Sequence, residues 1–295
     1  MAAITTEKIA LPKEVAGEIL SKVRDASVVQ TLSSAEPRLF KDIDHMYFST
    51  DPEAEFVGEG VAKSPSDTEI TVVPGEIHKA QVTVRMSDEV KWADEDNQLQ
   101  IIDAIEDAAA AAMGRGLDYG VIHGINPTTG TAVSGMSHIT DGANVVAATA
   151  DAAADLDSMV EAVNDDFDVT GIALSKPYAN ALRKLRADGT GMRIFPEIPV
   201  NLKMGQLDGI DAATSNTVNG KLAKTATGVT AVLGDWNMVK WGIVRDLGME
   251  VIETGDPDGL GDLKRMNQIA YRVEVVYCWA VIDDKAFAVL QAQGA

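Results

Sequence analysis

From Ala80 to Ser87 the chain alternates. Ala80, Val82, Val84 and Met86 are apolar, and Gln81, Thr83, Arg85 and Ser87 between them are polar. That period of two predicts a strand with one apolar face. Upstream, the β-branched run Ile70–Val73 is also strand-forming, and Pro74-Gly75 between the two runs is a turn or strand-break signal. From Gly58 to Thr68 core-forming residues are scarce: Gly58 and Gly60 bracket Glu59, and Pro65 follows Lys63 and Ser64. This stretch reads as a flexible tip or strand edge. Ala54 to Met86 is therefore an extended arm with too few apolar residues to bury itself. It must lie on another body, and the rest of one subunit is a poor candidate for so extended a partner.

Directly after the arm the period changes. Ile101, Ile102, Ile105, Ala108, Ala109, Ala112 and Met113 fall on one stripe at helical spacing, and Asp103 and Asp107 point elsewhere. Asp94, Glu95 and Asp96 sit where a helix dipole favours negative charge, and Gly114 and Gly116 mark the C-terminal end. A helix over 93–118 would reach roughly 35 Å.

Around this pair the pattern is mixed. Residues 1–40 carry a narrow helical stripe through Val15, Ile19, Leu20 and Val23, and 41–54 reads as a connector. Past a loop at Gly124–Gly142, helices are expected at Ala147–Val163 and Tyr178–Arg186 around a short strand, Thr170–Leu174. Strands follow at Gly209–Ala213 and Gly228–Gly234, then at Trp241–Val244 and Met249–Glu253 on either side of a turn. The polar loop Asp256–Asp262 precedes the longest strand, Ile269–Ile282, and a final short one, Ala286–Leu290. Helices and strands interleave without a regular βαβ rhythm, which makes the class α+β.

Charge narrows the function. With 25 Lys and Arg against 45 Asp and Glu, the net charge of −20 argues against tight phosphate binding and against an anionic membrane surface. A single cysteine, Cys278, rules out an internal disulfide framework. No apolar run reaches membrane-spanning length, and the N-terminus has no signal-peptide pattern.

Candidate chemistry is thin. His45, His78, His123 and His138 lack metal-ligand spacing, and Cys278, between Tyr277 and Trp279, reads as a buried inert thiol. Gly114, Gly116 and Gly120 end a helix where a dinucleotide loop would open one. Asp256, Asp258 and Asp262 could ligate calcium, but Leu260 occupies a ligand position, and a solvated loop is the stronger reading.

The order of features is more telling than any one motif. A glycine loop, Phe56-Val57-Gly58-Glu59-Gly60, leads into a two-stranded extension, a Ser87-Asp88-Glu89 step and the long helix. A turn rich in Gly, Asn, Pro and Thr follows at Gly124–Gly135. Then come a strand, helix and polar loop over Thr170–Gly191, the Gly234-Asp235-Trp236 step, and a closing Tyr271–Leu290 pattern ending in Asp284, Ala286 and Phe287. Over nearly all its length the chain resembles the major capsid proteins of tailed bacteriophages, with the Hong Kong 97-type fold.

That resemblance implies an α+β fold with an N-arm (1–40), a lead into the peripheral domain (41–54), an E-loop hairpin (55–86) and a peripheral domain with a long spine helix (87–145). An axial domain (146–262), a peripheral strand (263–283) and a C-terminal axial strand (284–295) complete it. It further implies self-assembly into pentamers and hexamers of an icosahedral shell around the double-stranded DNA genome of a tailed phage, formed in the host cytoplasm. No catalysis and no cofactor or metal are expected. Phe56, Gly58, Glu59, Gly60 and Lys63 would make the intersubunit contact, with the two glycines letting the tip bend.

Some members of the family cross-link an arm lysine to an asparagine of a neighbour. Lys63 is the candidate, but neither the asparagine nor the glutamate base has a motif here, so a solvated lysine or an intersubunit salt bridge carries more weight. Expected partners are copies of the chain, portal and scaffolding proteins, decoration proteins, and packaged DNA held without sequence preference. A cleaved N-terminal scaffolding segment, common in the family, is not apparent before the N-arm-like sequence. The alternative within the same fold is an encapsulin-type compartment shell, which would enclose protein cargo. An acidic soluble enzyme is the reading from another class.

Overall fold

The computed structural model describes residues 27–36, 43–50, 52–66, 69–97 and 101–292. Two sheets and five helices organise them. In chain order they are α1 (Val29–Leu32), β1 (Ile43–Thr50), β2 (Glu69–Ser87), α2 (Asp88–Asn97), α3 (Ile101–Asp118), β3 (Asn144–Ala147) and α4 (Ala152–Asn164). There follow β4 (Gly171–Leu174), α5 (Lys176–Lys184), β5 (Gln206–Leu207), β6 (Ile210–Thr214), β7 (Val229–Gly234), β8 (Val239–Ile252), β9 (Gln268–Val281) and β10 (Phe287–Gln291). Most of the predicted N-arm lies outside the described residues.

Strand β2 is 19 residues long and sets the first sheet, ordered β1-β2-β9-β8 and antiparallel throughout. The predicted alternation is present: Val82, Val84 and Met86 face Val273, Tyr271 and Ile269 across the ladder to β9. Met86, Ile269 and Tyr271 pack against Val90 and Ile101 of the helices beneath. Pro74-Gly75 does not break the strand, contrary to expectation. Instead the partner changes there: Glu69–Gly75 pairs with β1, and Glu76–Ser87 pairs with β9. Among the described residues the ladder to β1 is the only one β2 makes along Glu69–Gly75, so the missing proline N–H need cost no sheet bond. The stretch read as a connector, 41–54, contains β1. Asp44 falls on the face of Met46 and Phe48, and His45 on that of Ile43 and Tyr47, so no clean period of two shows in the sequence.

The helix expected over 93–118 is covered by two elements, α2 and α3, and the first begins earlier than the acidic run suggests. Asp88 and Glu89 occupy the first turn of α2, and the Asp94 carboxylate accepts a hydrogen bond from the Ile101 amide (2.8 Å), capping α3. Ile101, Ala109, Met113 and Leu117 form the buried stripe. Gly114 and Gly116 do not end the helix. It runs on through a π-helical turn, Tyr119–His123, and stops at Gly124, whose φ of +60° is the left-handed stop. Gly120 answers to packing: a Cβ there would lie 2.7 Å from the Trp279 indole.

The second sheet, ordered β3-β10-β7-β4-β6-β5, is covered on both faces, and all four residues of β4 are buried. On one face α4 and α5 bring Leu156, Met159 and Leu182 against Leu174, Leu233 and Leu290. On the other, Ala173, Val232 and Val289 join Leu117, Ile122 and Trp236 in a core shared with Tyr277 and Trp279 of the first sheet. Asp151 caps α4 and Ser175 caps α5; the helix expected from Ala147 begins at Ala152, and Ala147 is instead the last residue of β3. The two strands expected on either side of a turn are one strand, β8, bulged between Ile243 and Arg245 and between Asp246 and Met249. The interval 146–262 therefore contributes to both sheets, because β8 pairs with β9.

One carboxylate ties the segments together. Asp118 is fully buried and accepts four hydrogen bonds, from Ser27 Oγ (2.5 Å), the Val28 and Val29 amides (3.1 and 3.2 Å) and Thr217 Oγ1 (2.6 Å). Burial pushes its pKa up to about 6, and the four hydrogen bonds act against that rise. The folded-state value lies above the unfolded one, so this group stabilises the fold most below about pH 4, and that contribution is lost as pH rises through about 6. Asp118→Asn removes the linkage: its urea midpoint should fall further behind the parent's as pH is lowered from about 7 to about 4. Asp118→Ala orphans the donors and should cost roughly 3–5 kcal/mol at neutral pH.

Candidate functional site

The arm is built from the β1–β2 hairpin and its connecting tip. Met46 stands opposite Val72, and Ile70 lies two residues from Val72 on the same face of β2. Met46, Ile70, Val72 and, in the tip, Val61 are each at least half exposed, and Phe56 is fully exposed. Apolar side chains are thus left open to solvent along one hairpin.

The tip, 52–66, holds its shape with few bonds. Val61 N donates to Gly58 O (3.2 Å), Ser64 N to Glu55 Oε1 (3.0 Å) and Glu53 N to Ser66 Oγ (3.0 Å). Gly60 takes φ +79° in the turn, where open space surrounds it. Phe56, Gly58, Glu59, Gly60 and Lys63 thus come together in one exposed loop. Glu59 and Lys63 make no hydrogen bond or ion pair among the described residues.

The root of the arm is rigid by contrast. At Glu76 the carboxylate meets His78 Nε2 (3.1 Å) and accepts from the Ser137 amide (3.0 Å). His78 stacks on Trp279 with ring centroids 4.3 Å apart, and Trp279 Nε1 donates to Ser137 O (2.9 Å). Nearby, Lys79 pairs with Glu274 at 2.6 Å.

Further along β2, Arg85 is buried to 4% side-chain exposure. Its guanidinium donates to Asp258, Asp256 (3.4 Å), Gln268 Oε1 (3.2 Å) and Gly261 O (3.0 Å). The acidic loop considered for calcium is therefore engaged by an arginine, and Asp262 accepts from the Arg265 amide (2.9 Å). Among the described residues no cluster of three metal-ligating side chains forms.

Of the other candidates, Cys278 is buried. His123 is buried beside Thr217 O (3.2 Å), and burial lowers its pKa to about 4. Arg85 and Asp118 escaped the sequence reading because their partners lie some 90 to 180 positions away. The only local signal was a charge on each apolar element.

A family model described as the phage capsid family matches residues 8–292. A solved structure from Mycobacterium phage Ogopogo is 35% identical, with a TM-score of 0.84 over 99% of this chain and 100% of that one. One from Gordonia phage Cozz is 29% identical, with a TM-score of 0.81 over 98% and 94%. A chain from the capsid of an empty GTA particle aligns at 14% identity and a TM-score of 0.64 over 95% and 94%, a likeness of fold alone. No curated protein matches the chain.

The contrast between tip and root predicts a cleavage pattern. In dissociated subunits trypsin should cut after Lys63, and a glutamate-specific protease after Glu53, Glu55 or Glu59, whereas Glu76–Ser87 should resist because β9 pairs with it throughout. Mass spectrometry of the fragments reads this directly. Protection of the tip in the free subunit would contradict the exposed arm.

Proposed function

Because this chain belongs to the phage capsid family, we propose that its copies join through their arms into the hexamers and pentamers of a closed, icosahedral Hong Kong 97-type shell around double-stranded DNA. The observation that carries this reading is the arm: a two-stranded hairpin anchored by its root, with an apolar face and a tip exposed to solvent. A contact between an arm and a different surface of the next copy is heterologous, and such contacts close into rings when the rotation allows. In this reading β1, the tip and the first half of β2 are the E-loop. The α2–α3 helices, the second half of β2, β8 and β9 form the peripheral domain, and the six-stranded sheet forms the axial domain.

The role is structural rather than catalytic. The net charge of −20 supports a lining that repels packaged DNA instead of gripping it, over about 8 Å at physiological salt. Portal, scaffolding and decoration proteins are the partners such a shell takes, and assembly belongs to the host cytoplasm. Among the described residues no helix is long and apolar enough to cross a membrane. The encapsulin alternative is not favoured, since the family model and the structures at 35% and 29% identity belong to phages.

Negative-stain microscopy with light scattering on the expressed chain tests the reading. Icosahedral or tubular particles are expected, alone or with co-expressed phage morphogenesis proteins. A compact monomer that never assembles under either condition would overturn it.

The same particles decide the role of Lys63. A non-covalent contact gives a single boiled band near 31.3 kDa on a denaturing gel. A ladder that resists boiling, and disappears in Lys63→Arg, would instead make Lys63 a cross-linking residue.

A further inference from the structure

Charge is spread unevenly over this chain. It has 25 basic and 45 acidic residues overall, yet the segment 183–194 carries four cations, Arg183, Lys184, Arg186 and Arg193, against one carboxylate, Asp188. The segment runs from the last turn of α5 into a small hairpin. Ala187 N donates to Met192 O (2.8 Å) and Ile194 N to Leu185 O (3.3 Å), so Arg186 and Arg193 stand opposite each other between those two bonds. This is the closer kind of antiparallel pair, with Cα atoms about 4.5 Å apart and both side chains on one face.

Neutral oxygens hold two of the guanidiniums. Arg183 Nε and Nη2 donate to Asn180 Oδ1 (3.2 and 3.0 Å), and Arg186 Nη1 donates to Arg183 O and Leu185 O (both 3.1 Å). Among the described residues no carboxylate, Asp188 included, pairs with Arg183, Arg186 or Arg193. The dipole and open carbonyls at the end of α5 account for Arg183, Lys184 and the bonds of Arg186. They do not account for Arg193, which sets a second positive charge opposite Arg186, where like charges destabilise a strand pair.

We propose that this hairpin is a contact for the phosphodiester backbone of double-stranded DNA, with Arg183, Arg186 and Arg193 each meeting a phosphate and no base read. The inference rests on the reading of the chain as a subunit of a DNA-filled shell, and adds which part of the subunit touches the DNA. A lone carboxylate on a neighbouring copy is satisfied by one guanidinium. Three guanidiniums close together suit a row of phosphates, which carry one charge per about 3.4 Å of axis along each strand. Elsewhere the acidic surface repels the duplex. A cationic point repeated once per copy holds the outer layer of DNA weakly, alike at every sequence, and salt loosens it.

Fluorescence anisotropy of a short labelled duplex, titrated with dissociated full-length subunits, tests this. Between about 20 and 200 mM salt the logarithm of the affinity should fall against the logarithm of salt with a slope of about −2.7, for three phosphates neutralised. Arg186→Gln combined with Arg193→Gln should weaken binding about tenfold or more at the low-salt end and flatten the slope by about 2. A duplex of scrambled sequence should bind as the first does. Lys221→Gln combined with Lys224→Gln removes the same charge from two other exposed positions and should leave affinity and slope unchanged. Both double variants should melt within about 2 °C of the parent. The hairpin variant should also form shells at the parent's concentration.

If the parent binds no duplex, or the two double variants bind it alike, the DNA contact is wrong and the shell reading stands. If the hairpin variant loses assembly while the parent shows no salt-dependent DNA binding, the arginines meet a neighbouring copy, and the inference is again overturned. A parent that never forms shells overturns the shell reading itself, and this inference with it.

Discussion

Strand β2 belongs to two structures at once, and the register of its ladder to β9 governs both. From Glu76 to Ser87 it is a core strand, and from Glu69 to Gly75 it is one half of an arm. Because side chains alternate, a slip of one residue would turn Val82, Val84 and Met86 away from the helices and drive Arg85 into the apolar face. The same slip would move the point at which the arm leaves the body. Packing in the core and reach outside it are therefore set by one backbone.

That register is held by unlike forces on the two faces. Beneath the sheet, Met86, Ile269 and Tyr271 meet Val90 and Ile101 in a small dry cluster. On the polar side the Arg85 guanidinium binds the loop that carries Asp256 and Asp258, and Arg272 donates to Pro257 O at 2.7 Å. Behind both lies the Asp118 junction, where the end of α3, the Ser27–Val29 segment and Thr217 converge on one carboxylate. Trp279, packed against Gly120 and bonded to Ser137, links the body beside that junction to the root of the arm. The base is stiff because polar groups with few alternatives are buried there, and the tip is open because it has almost none of either.

The legible parts of the sequence were those in which one period ran long enough to exclude the others. The alternation of Ala80–Met86 and the stripe of α3 identified a strand and a helix without ambiguity. The run of glycine, proline and charge at the tip marked an exposed loop. Signals with two physical meanings misled. Pro74-Gly75 can end a strand or mark where it changes partner. Gly114, Gly116 and Gly120 can stop a helix or let a neighbour approach closely, and here a Cβ at Gly120 would strike an indole. Asp118 and Arg85 were illegible because a lone charge on an apolar element names no partner. The family resemblance came from the order of weak motifs, which survives errors in any one of them.

The bulges of β8 bear on a danger that every self-associating β protein faces. The strand ends its sheet, 14 residues long; among the described residues its outer edge is bridged at Trp241 by Ala35, and Ile243, Leu247 and Val251 are partly uncovered. A flat border of that length would accept a stray strand from any copy that drifted past, and the product would be a fibre without end. Two interruptions within the same stretch twist the border and spoil a continuous register for such a guest. Copies of this chain packed side by side would thereby meet an unreceptive flank.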